Sequence, residues 1–372
     1  MYRKLLFVID NLGSGGAQNQ LTLLASLFKK NNDDVTVFVY NDSDFFKHRL
    51  DTLNIPIVYS KKKTKSGWEI IKALGRMMKT QSFDAVISFL QTPNFYTSVS
   101  KKINSLPVPL LISERFISFE NKSSIKYWMK RYAHLIASHA TTNSHHERRR
   151  IIDKGLTKSS AISTIYNLVD LDYFHFNVKK ERSFKLLSVA SVSPYKNGMC
   201  LVDALIKLKE RNKLNFSVTW VGSKVHTIAE RKEYILKMEN AIVENDLSNH
   251  WNWVEPQRDI RSFYHSHDAL VHPSYREGLP NVICEALSCG MPVIASDILD
   301  HPILLDKEKN GFLFDHTSPE ELADQIVRFY ELSEYRISTI RNNSRAFAEA
   351  SFSEERFFNS YSDIITQMII SD

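Results

Sequence analysis

The feature that most narrows the fold of this chain is an alternation of two hydrophobic periods, run through twice. KLLFVID (residues 4–10) is an apolar run of strand length, and AQNQLTLLASLFKK (17–30) places its apolar residues at helical spacing. DVTVFVY (34–40) is again a strand. IPIVYS, GWEIIKALGRMMKT, DAVISFL and VPLLISE continue as strand, helix, strand and strand. SIKYWMKRYAHLIASHA (124–140) reads as a helix and AISTIYN (161–167) as a strand. Residues 168–182, LVDLDYFHFNVKKER, lose the periodicity and mark a linker. The alternation then restarts with FKLLSVASV (184–192), NGMCLVDALIKLKERN (197–212) and FSVTWVG (216–222), followed by a helix over 226–245 and by WNWV (251–254). ALVHPS (269–274), a helix from Pro280 and MPVIAS (291–296) follow, and the tail at 353–370 is an amphipathic helix. Strand and helix in alternation predict parallel sheets covered by helices. The expectation is therefore α/β, with two doubly wound Rossmann-like domains, 1–182 and 183–352, facing a central cleft. Ligands in such sheets bind at the carboxyl ends of the strands.

A length of 372 residues suits two domains. No run approaches the ~18 apolar residues of a membrane span, and Asp10 follows the first apolar run without a cleavage site. Cys200, Cys284 and Cys289 show no metal spacing and read as reduced thiols, which points to the cytoplasm. The net charge of +6 is unevenly spread. Residues 1–182 hold 28 lysines and arginines against 15 acids, a net +13, and residues 183–372 hold 20 against 27, a net −7. A basic half suggests contact with a polyanion or an anionic membrane. Its runs are KKKTK (61–65), KYWMKR (126–131) and HHERRR (145–150). They lack the aromatic readout modules of a nucleic-acid binder, so no nucleic-acid partner is expected.

The stretch REGLPNVICEALSCGMPVIASD (276–297) carries the chemistry. Its loop follows a strand, Pro280 suits the first helical position, and Gly290 suits the residue just past the helix end. A helix N-terminus exposes unpaired N–H groups and a positive dipole end, a seat for a diphosphate. Gly278 lets a ligand approach the backbone. Glu285 lies too far along the helix to cap it and could accept hydrogen bonds from a ribose diol. Glu277, across the phosphate seat, could do the same for a sugar.

In this context, HDALVHPSYREGLPNVICEALSCGMPVIASD resembles the donor-site signature of the retaining glycosyltransferases of family 4, which have the GT-B fold. NLGSGGAQNQLTLLASL resembles their glycine-rich first loop, IYNLVDLDYF the end of their N-terminal domain, and NGFLF (310–314) the strand after the donor site. The resemblance implies that Glu277 contacts the donor sugar and Glu285 the nucleotide ribose. The backbone of Gly278, Leu279, Pro280 and Asn281 would face sugar or diphosphate. Lys196 matches a lysine on the diphosphate, but the family's arginine position is Ser191, which changes how the leaving group's charge is neutralised. Val254 and Pro256 would edge the nucleobase. Gly15 and Gly16 would flank the cleft near phosphate and acceptor. Their loop is neither a Walker loop nor G-x-G-x-x-G, and no acid closes the second strand. Where relatives carry a histidine after the fifth strand, this chain has Glu114, which either orients or deprotonates an acceptor hydroxyl or pairs with Arg115. His272 reads as a satisfied core histidine. The tail helix (353–372) would cross back onto the first domain.

The implied activity is a metal-independent, retaining transfer from a nucleotide-diphospho sugar, UDP-linked in preference to GDP-linked, with no cofactor. The leaving phosphate would help take the acceptor's proton. The acceptor would be a glycan or lipid-linked oligosaccharide in surface polysaccharide or O-antigen assembly. The basic half, with Tyr127 and Trp128 among its lysines, would dock peripherally on the anionic inner face of the cytoplasmic membrane. Two rivals are a glycoside hydrolase using the glutamates as an acid/base pair and a non-catalytic nucleotide-sugar-binding subunit.

Overall fold

The computed structural model describes residues 2–64, 66–115, 124–176, 182, 184–213, 215–225, 227–306 and 309–371. Lys65 of the first basic run, residues 177–181 and 183 around the expected linker's end, and His226 at the expected helix start lie outside the described residues. Among those described, the first unit alternates β1 (Lys4–Val8), α1 (Gly16–Lys30), β2 (Asp34–Val39), α2 (Lys47–Thr52), β3 (Ile57–Tyr59), α3 (Trp68–Gln81) and β4 (Ala85–Phe89). It continues with α4 (Gln91–Ile103), β5 (Leu110–Glu114), α5 (Ile125–Ile136), β6 (His139–Thr142), α6 (His145–Asp153) and β7 (Ile162–Thr164). All pairings are parallel and the sheet order is β3-β2-β1-β4-β5-β6-β7.

Both faces of this sheet are covered, so its central strands β1, β2 and β4 are mostly apolar on both sides. Side chains alternate between faces. Leu5 and Phe7 enter one buried cluster with Leu21, Leu24 and Phe28 of α1. Leu6 and Val8 enter the other with Ile70 and Leu74 of α3 and Ala133 of α5. The helix expected over 124–140 stops at Ile136, and His139–Thr142 instead pair with β5. An apolar stretch of this kind suits either period, and the open ladder edge of β5 decides it. Leu90, which turns the chain from β4 into α4, has φ 77, a strained conformation for a branched residue.

The second unit runs β8 (Lys185–Val189), α7 (Gly198–Glu210), β9 (Ser217–Val221), α8 (Ala229–Glu244), β10 (Trp251–Val254), α9 (Arg261–Ser266) and β11 (Ala269–His272). It ends with α10 (Asn281–Ser288), β12 (Val293–Ser296), α11 (His301–Leu304), β13 (Gly311–Phe314), α12 (Pro319–Glu331) and α13 (Glu334–Phe352). Its parallel sheet has the order β10-β9-β8-β11-β12-β13. Trp220, Leu201, Met238, Phe329 and Ile340 anchor its core. All three cysteines are buried and unbridged.

The chain divides after Leu168, ahead of the 182/183 boundary expected from lost periodicity. Residues 169–176 belong to the second unit because their backbone is held there. The Val169 N–H donates to Phe352 O (3.1 Å), and Arg345 of α13 donates to the carbonyls of Leu171 (3.3 Å) and Phe174 (3.0 Å). The last helix, α14 (Glu354–Ser371), groups with the first unit. Its Phe357, Tyr361, Ile365 and Met368 complete the α1 side of that core. Replacing the buried Ile365 by alanine should therefore cost about 2–4 kcal/mol. Ile370→Ala, on the exposed side of the same helix, should cost under about 0.5 kcal/mol. Urea unfolding of both variants checks this.

Candidate active site

The second sheet reverses its strand order between β8 and β11, so the loops leaving these two neighbours diverge and open a crevice at their carboxyl ends. Lys196 stands in the loop after β8 and Glu277 in the loop after β11. A short 3-10 turn, Pro194–Lys196, ends at Asn197 in the left-handed region (φ 55), which starts α7. The Tyr275 N–H donates to Tyr195 O (3.0 Å), tying the two loops together. Lys196 Nζ then reaches Glu277 Oε1 in an ion pair, and the buried His272 donates to the same oxygen from Nε2 (3.0 Å). Burial alone would raise the Glu277 carboxyl. The His272 hydrogen bond and the fields of His272 and Lys196 outweigh it and hold the group well below the carboxylate range. Behind His272 lies the ring of His301, 5.5 Å away and tilted, whose Nδ1–H donates to Ser296 O (2.8 Å). Burial pushes His301 down to about 3, so it is a neutral wall of this site.

Glu285 sits in the fifth position of α10. Pro280 is the cap of that helix rather than its first residue, and the helix begins at Asn281. Leu279 is buried, and a Cβ on Gly278 would meet nothing within 4 Å, so the backbone before the helix faces open space. Cys289 closes the helix and Gly290 follows with φ 69. A side chain at Gly290 would also overlap the ring of Phe176. Tyr264 of α9 donates from its hydroxyl to Glu285 Oε2 (2.8 Å). Burial raises the Glu285 carboxyl to about 7, and the Tyr264 hydrogen bond opposes this only in part. The two glutamates thus sit at opposite ends of the carboxylate range, one neutralised by cationic neighbours and one not.

Ser191 is half-buried in the loop that carries Lys196 and brings no positive charge to it. Gly222, after β9, allows that loop's close approach, since a Cβ there would overlap the Ala190 carbonyl. The Gly222 N–H donates to Val254 O (2.9 Å). Ser191, Val254 and the exposed Pro256 therefore follow the carboxyl ends of β8 and β10 in the same unit as Lys196, Glu277 and Glu285.

In the first unit, Gly15 is the exposed cap of α1 and Gly16 its first residue, at the carboxyl end of β1. Glu114 requires a correction. Strand alternation sends it to the α5 face, away from Arg115. Its carboxylate lies 3.4 Å from Lys130 Nζ and 3.5 Å from His134 Nε2, and it is buried. Lys130 also pairs with Glu147 (2.9 Å), which pairs with Arg150 (2.7 Å). Burial would raise Glu114, but Lys130 and His134 hold it at about 2. Arg115 turns the other way, donating to Asn167 Oδ1 (2.7 Å) and to the Tyr361 hydroxyl. Glu114 thus neither pairs with Arg115 nor presents a basic oxygen to an acceptor. Tyr127 and Lys130 are buried too, which corrects their place among outward-facing membrane residues. The roles of Tyr264, and of His272 as partner of Glu277, are not legible in the sequence, because they depend on contacts between loops and helices.

Residues 171–346 match the family described as Glycosyl transferases group 1, and residues 14–173 match Glycosyltransferase Family 4. The chain is 22% identical over 335 residues to the amylovoran biosynthesis glycosyltransferase AmsD of Erwinia amylovora, covering 87% of this chain and 89% of that protein. It is 25% identical over 273 residues to the Escherichia coli UDP-Gal:alpha-D-GlcNAc-diphosphoundecaprenol alpha-1,3-galactosyltransferase, covering 69% and 68%. Among solved structures, HepE of Anabaena in complex with UDP superposes with a TM-score of 0.82 at 20% identity, covering 98% of this chain and 100% of that one.

Glu285 makes stability depend on pH. Its folded value, about 7, lies above the ordinary 4.5, so between these values the folded state keeps a proton that the unfolded state has lost. Stability is full below about pH 4.5 and falls as pH rises through 7. Glu285→Gln removes that loss. The variant should be about 1–3 kcal/mol more stable than the parent at pH 8, with a smaller difference at pH 5, measured by urea unfolding at both values.

Proposed function

The chain belongs to the group 1, family 4 glycosyltransferases of GT-B fold, and from that premise we propose that it transfers a sugar, with retention of configuration, from a nucleotide-diphospho sugar to a glycan acceptor. The observation that carries this reading is the Lys196–Glu277–His272 cluster in the switch-point crevice of the second unit, with Glu285 on the helix beyond. The donor diphosphate lies at the N-terminal end of α10, where backbone N–H groups and the helix dipole favour negative charge. Lys196 meets the charge that grows on the leaving diphosphate. Glu277, released from Lys196 by the incoming phosphate, takes hydroxyls of the transferred sugar, and Glu285 takes the ribose diol. The departing phosphate accepts the acceptor's proton on the same face, so no separate base is needed. That agrees with Glu114 being sealed among Lys130 and His134. With Ser191 uncharged, Lys196 and the amides of α10 act without a metal ion. A UDP-sugar is favoured, with a GDP-sugar as the alternative. HepE binds UDP, and the E. coli relative's name specifies UDP-Gal, which supports this preference.

The acceptor in this proposal is a lipid-linked glycan of surface polysaccharide assembly, reached from the inner face of the cytoplasmic membrane. The names of the amylovoran and diphosphoundecaprenol relatives support it. So does the outward side of α5. Ile125, Trp128 and Leu135 are 76%, 56% and 66% exposed there, beside a groove of about 570 Å³ that Phe95 and Tyr132 also line. Cations lie over aromatic rings nearby, Arg131 on Trp128 (5.7 Å) and Lys62 on Tyr96 (5.4 Å). Apolar side chains bordered by lysine and arginine suit an anionic bilayer surface. No helix among the described residues is long and apolar enough to cross a membrane.

UDP or GDP should raise the melting temperature of the protein equally with and without EDTA. Neither nucleotide doing so would refute the donor site. Lys196→Ala and Glu277→Ala should each lower kcat for transfer about 100-fold or more. Trp128→Ala combined with Leu135→Ala should weaken co-sedimentation with anionic liposomes while leaving nucleotide binding unchanged. Equal sedimentation of parent and variant would remove the bilayer from the proposal.

A further inference from the structure

We infer that Tyr264 is a positioning residue for nucleotide recognition: its hydroxyl fixes one oxygen of Glu285 so that the other, ionised, faces the ligand's diol. The inference rests on the donor-site reading above. The geometry is direct. Tyr264 Oη lies 2.8 Å from Glu285 Oε2, and a tyrosine hydroxyl has one proton to give, so the carboxylate is turned by a single donor. Tyr264 is itself buried, with the ring of Phe174 against it edge to face (6.0 Å). Phe174 is held in turn, because its carbonyl accepts from Arg345 and the neighbouring Tyr173 hydroxyl donates to Asp259 (2.8 Å). The hydroxyl therefore cannot swing away without moving α9 or the 169–176 segment.

The electrostatic surroundings make this one hydrogen bond decisive. The titratable groups that act on or feel Glu285 are Tyr264 of α9, Tyr173, and Cys284 and Cys289 of its own helix and cap. Two arginines, Arg261 of α9 and Arg345 of α13, act on Cys289. Among the described residues no lysine, arginine or histidine pairs with Glu285. Its charge near neutral pH is therefore held by the Tyr264 proton before binding and by ligand hydroxyls afterwards. A hydrogen bond to the ionised form favours that form, so removing the tyrosine hydroxyl should make the carboxylate harder to ionise as well as less well aimed.

The test is isothermal titration of the full chain with UDP-glucose and with GDP-mannose between pH 5.5 and 8.5. Both diphosphates are esterified at each end and have no titrating phosphate in this range, so the pH profile reports the protein. For the parent, affinity should rise with pH and level off above about 7. Tyr264→Phe should bind about tenfold more weakly at pH 7, with its rise displaced to higher pH. Glu285→Gln should bind weakly with a flat profile. In transfer assays Tyr264→Phe should raise the donor KM and leave kcat unchanged. Phe174→Leu, which loosens the ring and keeps the hydroxyl, should displace the profile in the same direction by less, and it serves if Tyr264→Phe does not fold. A Tyr264→Phe profile that coincides with the parent's, or lies below it by one factor at every pH, overturns the positioning role while leaving the donor site intact. A parent that binds neither sugar nucleotide overturns the donor-site reading and this inference with it.

Discussion

The second unit is organised around one ion pair. Lys196 and Glu277 come from loops that leave adjacent strands in opposite directions, and their contact closes the crevice between those loops. Both side chains are largely withdrawn from water, so each has lost hydration that only the other, together with His272, replaces. Such a pair adds little net stability and makes each partner intolerant of losing the other. It also suits a site that must open to an anion. A diphosphate can take over the lysine, and sugar hydroxyls can take over the carboxylate, without leaving either charge bare. The neutral His301 beside His272 adds no further positive charge to the cluster.

Three glutamates show how environment divides labour among identical side chains. Glu114 and Glu277 are both held ionised by cations, but Glu114 is buried between β5 and α5 whereas Glu277 is half-buried and borders a crevice. Glu285 has burial without a cation, and its carboxyl rises to about 7. A shielded acid whose carboxyl is raised by burial, beside one side-chain donor in Tyr264, is a candidate ligand group.

Much of this was legible in the sequence because it follows from local rules. The apolar runs at 4–10, 34–40 and 84–90 became β1, β2 and β4, and Gly290 took the left-handed conformation that its place after α10 requires. The E-G-L-P loop fell at a strand's carboxyl end because strand, loop and helix are contiguous in the chain. What was not legible depends on partners far apart in sequence. Nothing near residue 139 shows that β5 lacks a neighbour, so the helical spacing over 124–140 runs on into the start of β6. Nothing near Glu114 shows that α5 will deliver Lys130 and His134 to it. The boundary at Leu168 depends on Arg345, whose reach to the carbonyls of 171 and 174 exists only once α13 has packed.

The charge imbalance between the halves changes meaning for the same reason. Several cations of residues 1–182 are turned inside the first unit, most of them against acids. Arg3 is locked on Asp33, Lys130 on Glu114 and Glu147, Arg150 on Glu147, and Arg148 caps the carbonyls of Ile162 and Ser159. These pairs cancel within themselves, so the net +13 rests on the remaining groups and does not by itself say where on the surface they lie. What remains outward is patterned rather than merely positive: α5 sets Trp128 and Leu135 outward while Tyr127, Lys130 and His134 point in, and Arg131 lies over the Trp128 ring. A diffuse basic surface would attract any anion. A row of exposed apolar side chains edged by cations discriminates, because it gains free energy only where negative charge and an apolar interior lie within a side chain's length of each other. The membrane reading thus draws its specificity from the spacing of α5, while the summed charge says only that the half is attractive to anions.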